Sequence, residues 1–414
     1  NAQLKVEELI LNCLKNLVSN GISKELIQSS LHQLEIKQRE ITGSGMPYGL
    51  QIMLSCLPAC LHNDDPLKVL DLDSSFDVIK DKLNKDNYIE NLIEEKIINN
   101  PHRVNYCLAP DIEFNSKNEK IIKEKIDEKS KNLTLDDKER IIELTKNLKI
   151  RQEKSDDPEI LPKVTKEDIP KIRTYAKSES YKDDNKNFFY KVGTNGITYH
   201  SMIFPCSPLT EDEFKVASLF TNTLTDVGIG NKNYEEVQKI QSAETGGISA
   251  NFTLLPNENQ SSHSLGLKIT SKSLEEKEIE MQNLMIETAK DSNFSDKNRI
   301  KDMLNFISSD NEKSLIQNGH ILSMSNAGAQ INNISATNDF ASGLNFITNT
   351  SKLSKNINNN SELDRYIELL NSIKNKINPI PSYSFTASSL EMHQSKINFE
   401  FDNKNNSFSI QNYF

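Results

Sequence analysis

Residues 188–204 read Phe188-Phe-Tyr-Lys-Val-Gly-Thr-Asn-Gly-Ile-Thr-Tyr-His-Ser-Met-Ile-Phe204, and they carry the clearest strand signal in the chain. Aromatic and β-branched residues, which favour strands, dominate the segments 188–191 and 197–204. Between them, Gly193-Thr-Asn-Gly196 contains Asn-Gly, a pair that tolerates the positive φ angles of a tight turn. The pattern therefore predicts a β-hairpin.

Helices and strands are mixed on the C-terminal side of this segment. Thr210-x-x-Glu213 is a capping box that predicts a helix start, and Ser273-x-x-Glu276 repeats the pattern. Residues 248–255 and 264–270 alternate like the strands of a second hairpin. Other helices are expected over 234–243, from Ser295 to about 307, and over 312–330, 361–374 and 389–401, with a last strand over 384–387. This order indicates an α+β domain.

The first hundred residues are predicted to be mostly helical, because apolar side chains recur every three or four positions. Helices are expected near the N-terminus, after Ser23, over 50–61 and over 86–99. Val104, Tyr106 and Leu108 then alternate with more polar residues, which predicts a short strand.

Residues 116–150 are rich in Lys, Glu, Asp and Asn and form two helical patterns with few apolar residues. Thr134 is suited to cap the second of them. These features predict a helical hairpin on a surface. Residues 152–170 follow with dense charge and several prolines, which predicts a linker between two domains.

The composition excludes two broad classes of protein. The chain has 414 residues, of which 49 are basic and 59 acidic, and its formal net charge of −10 argues against a nucleic-acid-binding protein. Its apolar runs are far shorter than the ~20 residues of a membrane-spanning helix. The five cysteines are an odd and widely spread set, which favours a reducing compartment.

The sequence contains no self-contained active site. His32-Gln-Leu-Glu35 is followed by Ile36, where a zinc-binding helix needs a second histidine. Glycine-rich phosphate loops and nucleophile elbows are also missing. Thr245-Gly246-Gly247 lies between a predicted helix and a predicted strand. Its paired glycines either allow a structural tight turn or bring the edge of the next strand close to a ligand.

Four stretches share their order and spacing with a known family: Leu161-Pro-Lys-Val-Thr-Lys-Glu-Asp-Ile-Pro170, Thr194-Asn-Gly-Ile-Thr-Tyr199, Val227-Gly-Ile-Gly-Asn-Lys-Asn-Tyr234 and Thr245-Gly-Gly-Ile-Ser249. They resemble the presequence-protease branch of the insulinase/pitrilysin zinc metallopeptidases, the branch that includes falcilysin. Segments 21–39, 48–70 and 104–111 resemble the same family, so the resemblance covers nearly the whole chain.

The resemblance implies an α+β fold in which a helical segment and a helical-hairpin hinge precede a metallopeptidase-like α/β sandwich, an antiparallel sheet covered by helices. Family members carry four related domains in two halves that close around a chamber. This chain would hold the C-terminal part of the second domain (1–112), the hinge (113–160), the third, non-catalytic domain (161–403) and the start of a linker to a fourth domain (404–414). The helix from Thr210 to Val227 takes the place of the zinc helix but has no histidine.

The resemblance also implies that the parent protein is a zinc metalloendopeptidase that degrades short unstructured peptides inside the closed chamber. This chain would supply the hinge and a chamber wall, bind no zinc and have no activity alone. The expected partners are unstructured peptides, the missing N-terminal catalytic half and the fourth domain, with no nucleic acid and no membrane. By analogy with the first domain, Thr245, Gly246, Gly247 and Ser249 are candidates to line the chamber.

Two other interpretations stay open. The chain is either a stand-alone, non-catalytic family member that acts as a peptide-binding or partner subunit, or an unrelated α+β scaffold with a helical interaction domain. The helical pattern that begins directly after Asn1 favours a piece of a longer protein. Cytoplasm is the expected location, with an organelle such as a mitochondrion or plastid as the alternative.

Overall fold

A computed structural model describes residues 2–41, 45–85, 87–155, 157–160, 162–172, 177–180, 186–256, 263–331 and 333–391. The chain divides into two compact units that do not follow chain order. The first unit contains Asn1–Asn16 and Leu92–Tyr175, and the second contains Leu17–Asn91 and Ala176–Phe414. The domain ranges expected from the sequence stay predictions, and most of the helix expected over 389–401 lies outside the described residues.

The N-terminal residues are helical, as predicted. The helices are α1 (Ala2–Asn20), α2 (Lys24–Arg39), α3 (Tyr48–Leu61), α4 (Pro66–Leu70), α5 (Leu72–Leu83) and α6 (Tyr88–Ile93), which continues as a π-helical turn (Glu94–Ile98). Ser23 caps α2, because its side chain accepts a hydrogen bond from the backbone N–H of Leu26. The cap and the helical periodicity were both visible in the sequence.

The first unit contains two further helices, α7 (Phe114–Lys131) and α8 (Leu135–Glu153), followed by a 3-10 turn (Pro158–Ile160). Thr134 and Asp137 form a reciprocal capping box at the start of α8, and neither α7 nor α8 has a buried residue. The two predicted helical stretches are therefore confirmed. Their charged surfaces explain the absence of a dense apolar stripe in the sequence.

The short strand predicted at Val104, Tyr106 and Leu108 is wrong. These side chains are 91%, 81% and 83% exposed, and residues 102–111 form no strand in the described part of the chain. Alternation creates an apolar face, but a strand also needs a neighbour for its backbone hydrogen bonds. No described segment supplies that neighbour.

The second unit is built on a six-stranded sheet. Its strands are β1 (Glu179–Ser180), β2 (Asn187–Lys191), β3 (Ile197–Cys206), β5 (Ile248–Pro256), β6 (His263–Leu274) and β8 (Tyr383–Ser388). Their spatial order is β1-β2-β8-β3-β6-β5, and every neighbouring pair is antiparallel except β2 with β8. Two short strands, β4 (Gly228–Ile229) and β7 (Ser292–Asn293), pair separately.

The hairpin predicted from residues 188–204 is wrong in its pairing, although both strands exist. Strand β8 lies between β2 and β3, so that Thr386 is opposite Phe189 on one side and His200 on the other. Asn195 and Gly196 do adopt positive φ angles of 56° and 83°. The turn chemistry was therefore interpreted correctly, but the loop spans about 10 Å, twice the usual strand spacing. The second hairpin, β5 with β6, is confirmed.

Seven helices complete the second unit: α9 (Glu211–Leu224), α10 (Tyr234–Glu244), α11 (Glu278–Asp291), α12 (Lys297–Ala329), α13 (Asn333–Ser342), α14 (Leu344–Asn356) and α15 (Asn360–Asn375). The capping box at Thr210 is confirmed. Ser273 is not a cap, because β6 continues through Leu274 into a 3-10 turn (Glu275–Lys277). The helices expected after Ser295 and over 312–330 are one helix of 33 residues.

The core of this unit lies between one face of the sheet and the helices. Met202, Phe204 and Cys206 alternate along β3 and are buried on the helical side. Phe220 of α9 has no exposed surface, and its ring centroid lies 6.1 Å from that of Phe252 and 5.7 Å from that of Phe294. The α+β class with helices covering a sheet is confirmed.

Phe220→Ala should lower the free energy of unfolding by about 3–5 kcal/mol, because it removes three-sided aromatic packing and leaves a cavity. Urea denaturation measures this change. Phe306→Ala on α12 is the matched control, since Phe306 is 73% exposed, and its effect should stay within about 0.5 kcal/mol. Equal effects of the two substitutions would contradict this description of the core.

Candidate functional site

The Thr245-Gly246-Gly247 turn joins the end of α10 to the start of β5. Thr245 is fully buried; its hydroxyl donates to the carbonyl of Gln241 (2.9 Å) and accepts from the N–H of Gly247 (3.0 Å). The N–H of Gly246 donates to the carbonyl of Lys272 on β6 (2.7 Å). Gly247 has a φ of +104°, a conformation that favours glycine. The hydroxyl and the two glycines thus fix how β5 enters the sheet.

Helix α2 covers the buried part of this turn. Ile36 is 2% exposed and packs with Ile197 and Leu274 in a small apolar cluster. A Cβ atom added to Gly246 would lie 2.9 Å from Cγ2 of Ile36 and 2.9 Å from Cγ of Lys272. Glycine is therefore required at 246 for the close approach of α2, and the structural interpretation of this residue is supported by a specific contact.

Polar contacts surround the Ile36 cluster. The Gln33 amide donates to the carbonyls of Ser242 and Thr245, each at 2.6 Å, near the C-terminal end of α10. Lys272 forms an ion pair with Glu40, and the side-chain amide of Asn195 donates to the carbonyl of Arg39 (3.1 Å). Because helix C-termini leave carbonyls unpaired, Gln33 supplies donors where they are needed.

The four predicted chamber residues therefore separate into two pairs. Thr245 and Gly246 lie against α2, whereas Gly247 and Ser249 are exposed. The Ser249 hydroxyl is 2.6 Å from that of Thr270 on the neighbouring strand. Strand β5 is the last strand in the sheet order, so Gly247 and Ser249 mark the beginning of a sheet edge.

A cavity of 470 Å³ lies beside the other end of β5, between this strand, α9 and α13. Its walls are mostly apolar, and sequence reasoning did not find it, because its residues come from four separate parts of the chain. They are Pro208, Leu209, Phe214, Ala217, Ser218, Thr221, Asn251, Phe252, Thr253, Leu254, Leu265, Asn338, Ala341 and Ser342.

Helix α9 begins with a buried ion pair. Glu213 is 3% exposed and accepts hydrogen bonds from Ser372 (2.6 Å), the N–H of Thr210 (2.6 Å) and the Lys376 ammonium group. Burial alone would raise the pKa of Glu213, but these donors outweigh it and lower the pKa to about 2. This carboxylate is ionised at neutral pH and ties α9 to the end of α15.

A second buried polar cluster lies in the sheet and was missed by the sequence analysis. His200 is 2% exposed, with Nε2 3.1 Å from the Ser384 hydroxyl and Nδ1 2.9 Å from the Thr386 hydroxyl. Burial lowers the pKa of His200 to about 3, so the ring is neutral at pH 7. Serine beside histidine is typical of a nucleophile pair, but a substrate cannot reach atoms this deeply buried. The cluster stabilises the pairing of β3 with β8.

The described residues do not fit a zinc site. Within the described ranges, no three His, Cys, Asp or Glu side chains come together in a way that could hold a metal ion. Helix α9, which takes the place of the zinc helix in the family resemblance, contributes carboxylates that are already paired or lie on its surface. We therefore derive no catalytic step through a metal in this chain.

The search for membrane spans gave a single finding. No helix in the described ranges combines the length and the apolar character needed to cross a membrane.

Comparison with known proteins identifies similar chains. A family model for the associated domain of peptidase M16, subfamily C, matches residues 108–353. Protein HypA of Clostridium perfringens (strain 13 / Type A) is 29% identical over 418 residues, covering 98% of this chain and 42% of HypA. Presequence protease 1, chloroplastic/mitochondrial, of Arabidopsis thaliana is 26% identical, covering 86% of this chain and 34% of that protein.

A third relative, Presequence protease, mitochondrial, of Yarrowia lipolytica (strain CLIB 122 / E 150), is also 26% identical and aligns with 82% of this chain and 34% of its own length. This chain therefore spans between about a third and two fifths of the length of these relatives. The matches extend well beyond the four short motifs on which the sequence resemblance was based.

Gly246→Ala should lower the free energy of unfolding by about 1–3 kcal/mol, because its Cβ overlaps Ile36 and Lys272. Gly319→Ala is the control, since no atom lies within 4 Å of its Cβ position. A double-mutant cycle tests the contact directly: the cost of Gly246→Ala should fall markedly when Ile36 is also replaced by Ala. An unchanged cost would show that α2 does not pack on the turn.

The unfolding free energy should fall with pH between the ordinary carboxyl pKa of 4.5 and about 2, because Glu213 has a lowered pKa in the folded protein. Its contribution is fully present above pH 4.5 and is lost as the carboxylate is protonated, which corresponds to about 3 kcal/mol. Glu213→Gln should remove this part of the pH dependence in urea titrations. Glu211→Gln, an exposed substitution in the same helical turn, should leave it intact.

Proposed function

Because the chain belongs to the family associated with peptidase M16, subfamily C, in the presequence-protease-like branch, we propose that it forms the hinge and one chamber wall of a zinc-dependent metalloendopeptidase. The observation that carries this proposal is the alignment of 86% of the chain with a protein named as a presequence protease. The alignment covers only 34% of that protein, which supports a parent polypeptide that is longer than this chain.

The substrates proposed are short, unstructured peptides, because a closed chamber excludes folded proteins. Two features of the second unit support a role in the chamber wall. Strand β5 is at the edge of the sheet, and a largely apolar cavity lies beside it. The charged helices α7 and α8, which have no buried residues, are suited to the hinge.

The chemistry is assigned to other parts of the parent. In a zinc peptidase the metal polarises the scissile carbonyl and activates water, and this chain's described residues do not fit such a site. Their proposed contribution is to bind and orient the peptide and to exclude water from the chamber. The isolated chain is accordingly proposed to be inactive.

A second candidate function is a non-catalytic peptide-binding subunit. It is favoured by the same cavity beside β5, since binding needs no catalytic residues. Peptide turnover distinguishes it from the first proposal, as described below.

The location of the protein stays a prediction. The names of the Arabidopsis and Yarrowia relatives assign those proteins to mitochondria or chloroplasts. These names are compatible with the organelle alternative and give the cytoplasmic expectation no support.

The longer polypeptide specified by the surrounding coding sequence should cleave a quenched fluorogenic peptide that has no structure, and should leave a folded protein intact. Removal of metal with a chelator should abolish cleavage, and added Zn²⁺ should restore it. The isolated 414-residue chain is the control and should show no cleavage above buffer.

Two results would contradict these assignments. Metal-dependent cleavage by the isolated chain would show that the catalytic residues lie within it. Failure of the longer polypeptide to cleave any peptide, while the isolated chain still binds peptides, would favour the peptide-binding subunit.

A further inference from the structure

The outer side of β5 is available for main-chain hydrogen bonds. β5 pairs with β6 along one side only, over residues 248–256, and it is the terminal strand of the sheet. In the part of the chain that the structure describes, no strand pairs with its other side. An edge of this kind presents a row of alternating N–H and C=O groups that an added strand can satisfy.

The cavity described above lies on the helical side of this same edge. Phe252 and Leu254, two residues apart on β5, point to the same face of the sheet and line it. Phe214 and Ala217 of α9 form a second wall, and Ala341 of α13 lies opposite. Alternate side chains of a strand added to β5 would point towards this face.

The chemistry of the cavity selects an uncharged side chain. None of the residues that line it carries a charge. A buried charge without a partner is strongly disfavoured, whereas an apolar group gains from leaving water. The volume of 470 Å³ is within the range of small-ligand pockets, about 300–1,000 Å³.

We propose that β5 and this cavity form a peptide-binding site, in which an extended peptide adds to the edge of the sheet and places an uncharged apolar side chain in the cavity. Neither feature alone specifies this ligand: the edge recognises any extended backbone, and the cavity recognises any apolar group of suitable size. Only an extended peptide satisfies both at once. This inference rests on the proposed function for the nature of the substrate, but it places binding on this chain and away from the catalytic centre.

The test uses the full 414-residue chain and capped hexapeptides of alanine with one central leucine, titrated by calorimetry or fluorescence anisotropy. Replacing the leucine with aspartate or lysine should weaken binding at least tenfold, because the cavity offers no counter-charge. Methylation of alternate backbone nitrogens should also weaken it at least tenfold in one of the two registers, since it removes donors to β5. These peptide changes leave the protein untouched.

Ala341→Trp is the matching protein variant, because the indole would fill the cavity from α13. It should weaken binding of the leucine peptide at least tenfold. Ala327→Trp, on an exposed position of α12, is the control and should bind like the wild type. A leucine peptide carrying a photo-crosslinker should label residues of β5, α9 or α13, as mapped by mass spectrometry.

Several outcomes would overturn the proposal. They are equal affinity for leucine, aspartate and lysine peptides, equal affinity for methylated peptides in both registers, crosslinks outside these elements, or no binding at millimolar peptide. A wild-type chain that dimerises and becomes monomeric with Ala341→Trp would mean that a second copy occupies the site. Binding is measured without turnover, so its failure leaves the peptidase proposal standing, and loss of turnover with binding intact affects that proposal alone.

Discussion

Strand β8 pairs with both β2 and β3, and the sheet of the second unit depends on this double pairing. Its residue Thr386 also bonds His200, which is 186 residues earlier in the chain. Without β8, β2 would have no partner towards the centre of the sheet, and the helices between β3 and β8 would have no reason to fold back. Such long-range pairing makes closure of the sheet entropically costly, so local signals alone do not determine it.

The sequence predicted what is local and missed what is distant. The positive φ angles at Asn195 and Gly196, the capping boxes at Thr134 and Thr210, and the β5–β6 hairpin follow from neighbouring residues and are all present. The partner of β2 could not be predicted, because two strands joined by a turn carry the same pattern whether or not a third lies between them. The strand expected at Val104 failed for a related reason, since alternation does not provide a pairing partner.

The candidate site shows the same division. The sequence identified the Thr245-Gly246-Gly247 turn and offered two roles for it, a tight turn or a strand edge near a ligand. The structure assigns close packing against Ile36 to Gly246 and leaves Gly247 and Ser249 exposed. The periodic pattern of α2 marks Ile36 as apolar but does not say which surface it meets. The cavity near Phe252 was invisible for the same reason, because its walls come together only in the folded chain.

The attachment of α2 to the sheet has a consequence for the integrity of the protein. Residues 17–91 and 176–391 belong to one unit, held partly by Ile36, Gln33 and the Glu40–Lys272 ion pair, although the segment 92–175 separates them in sequence. That segment is therefore an excursion whose two ends return to the same body. A protease that cuts once within the exposed helices α7 or α8 would leave two fragments that migrate as a single species until a denaturant separates them.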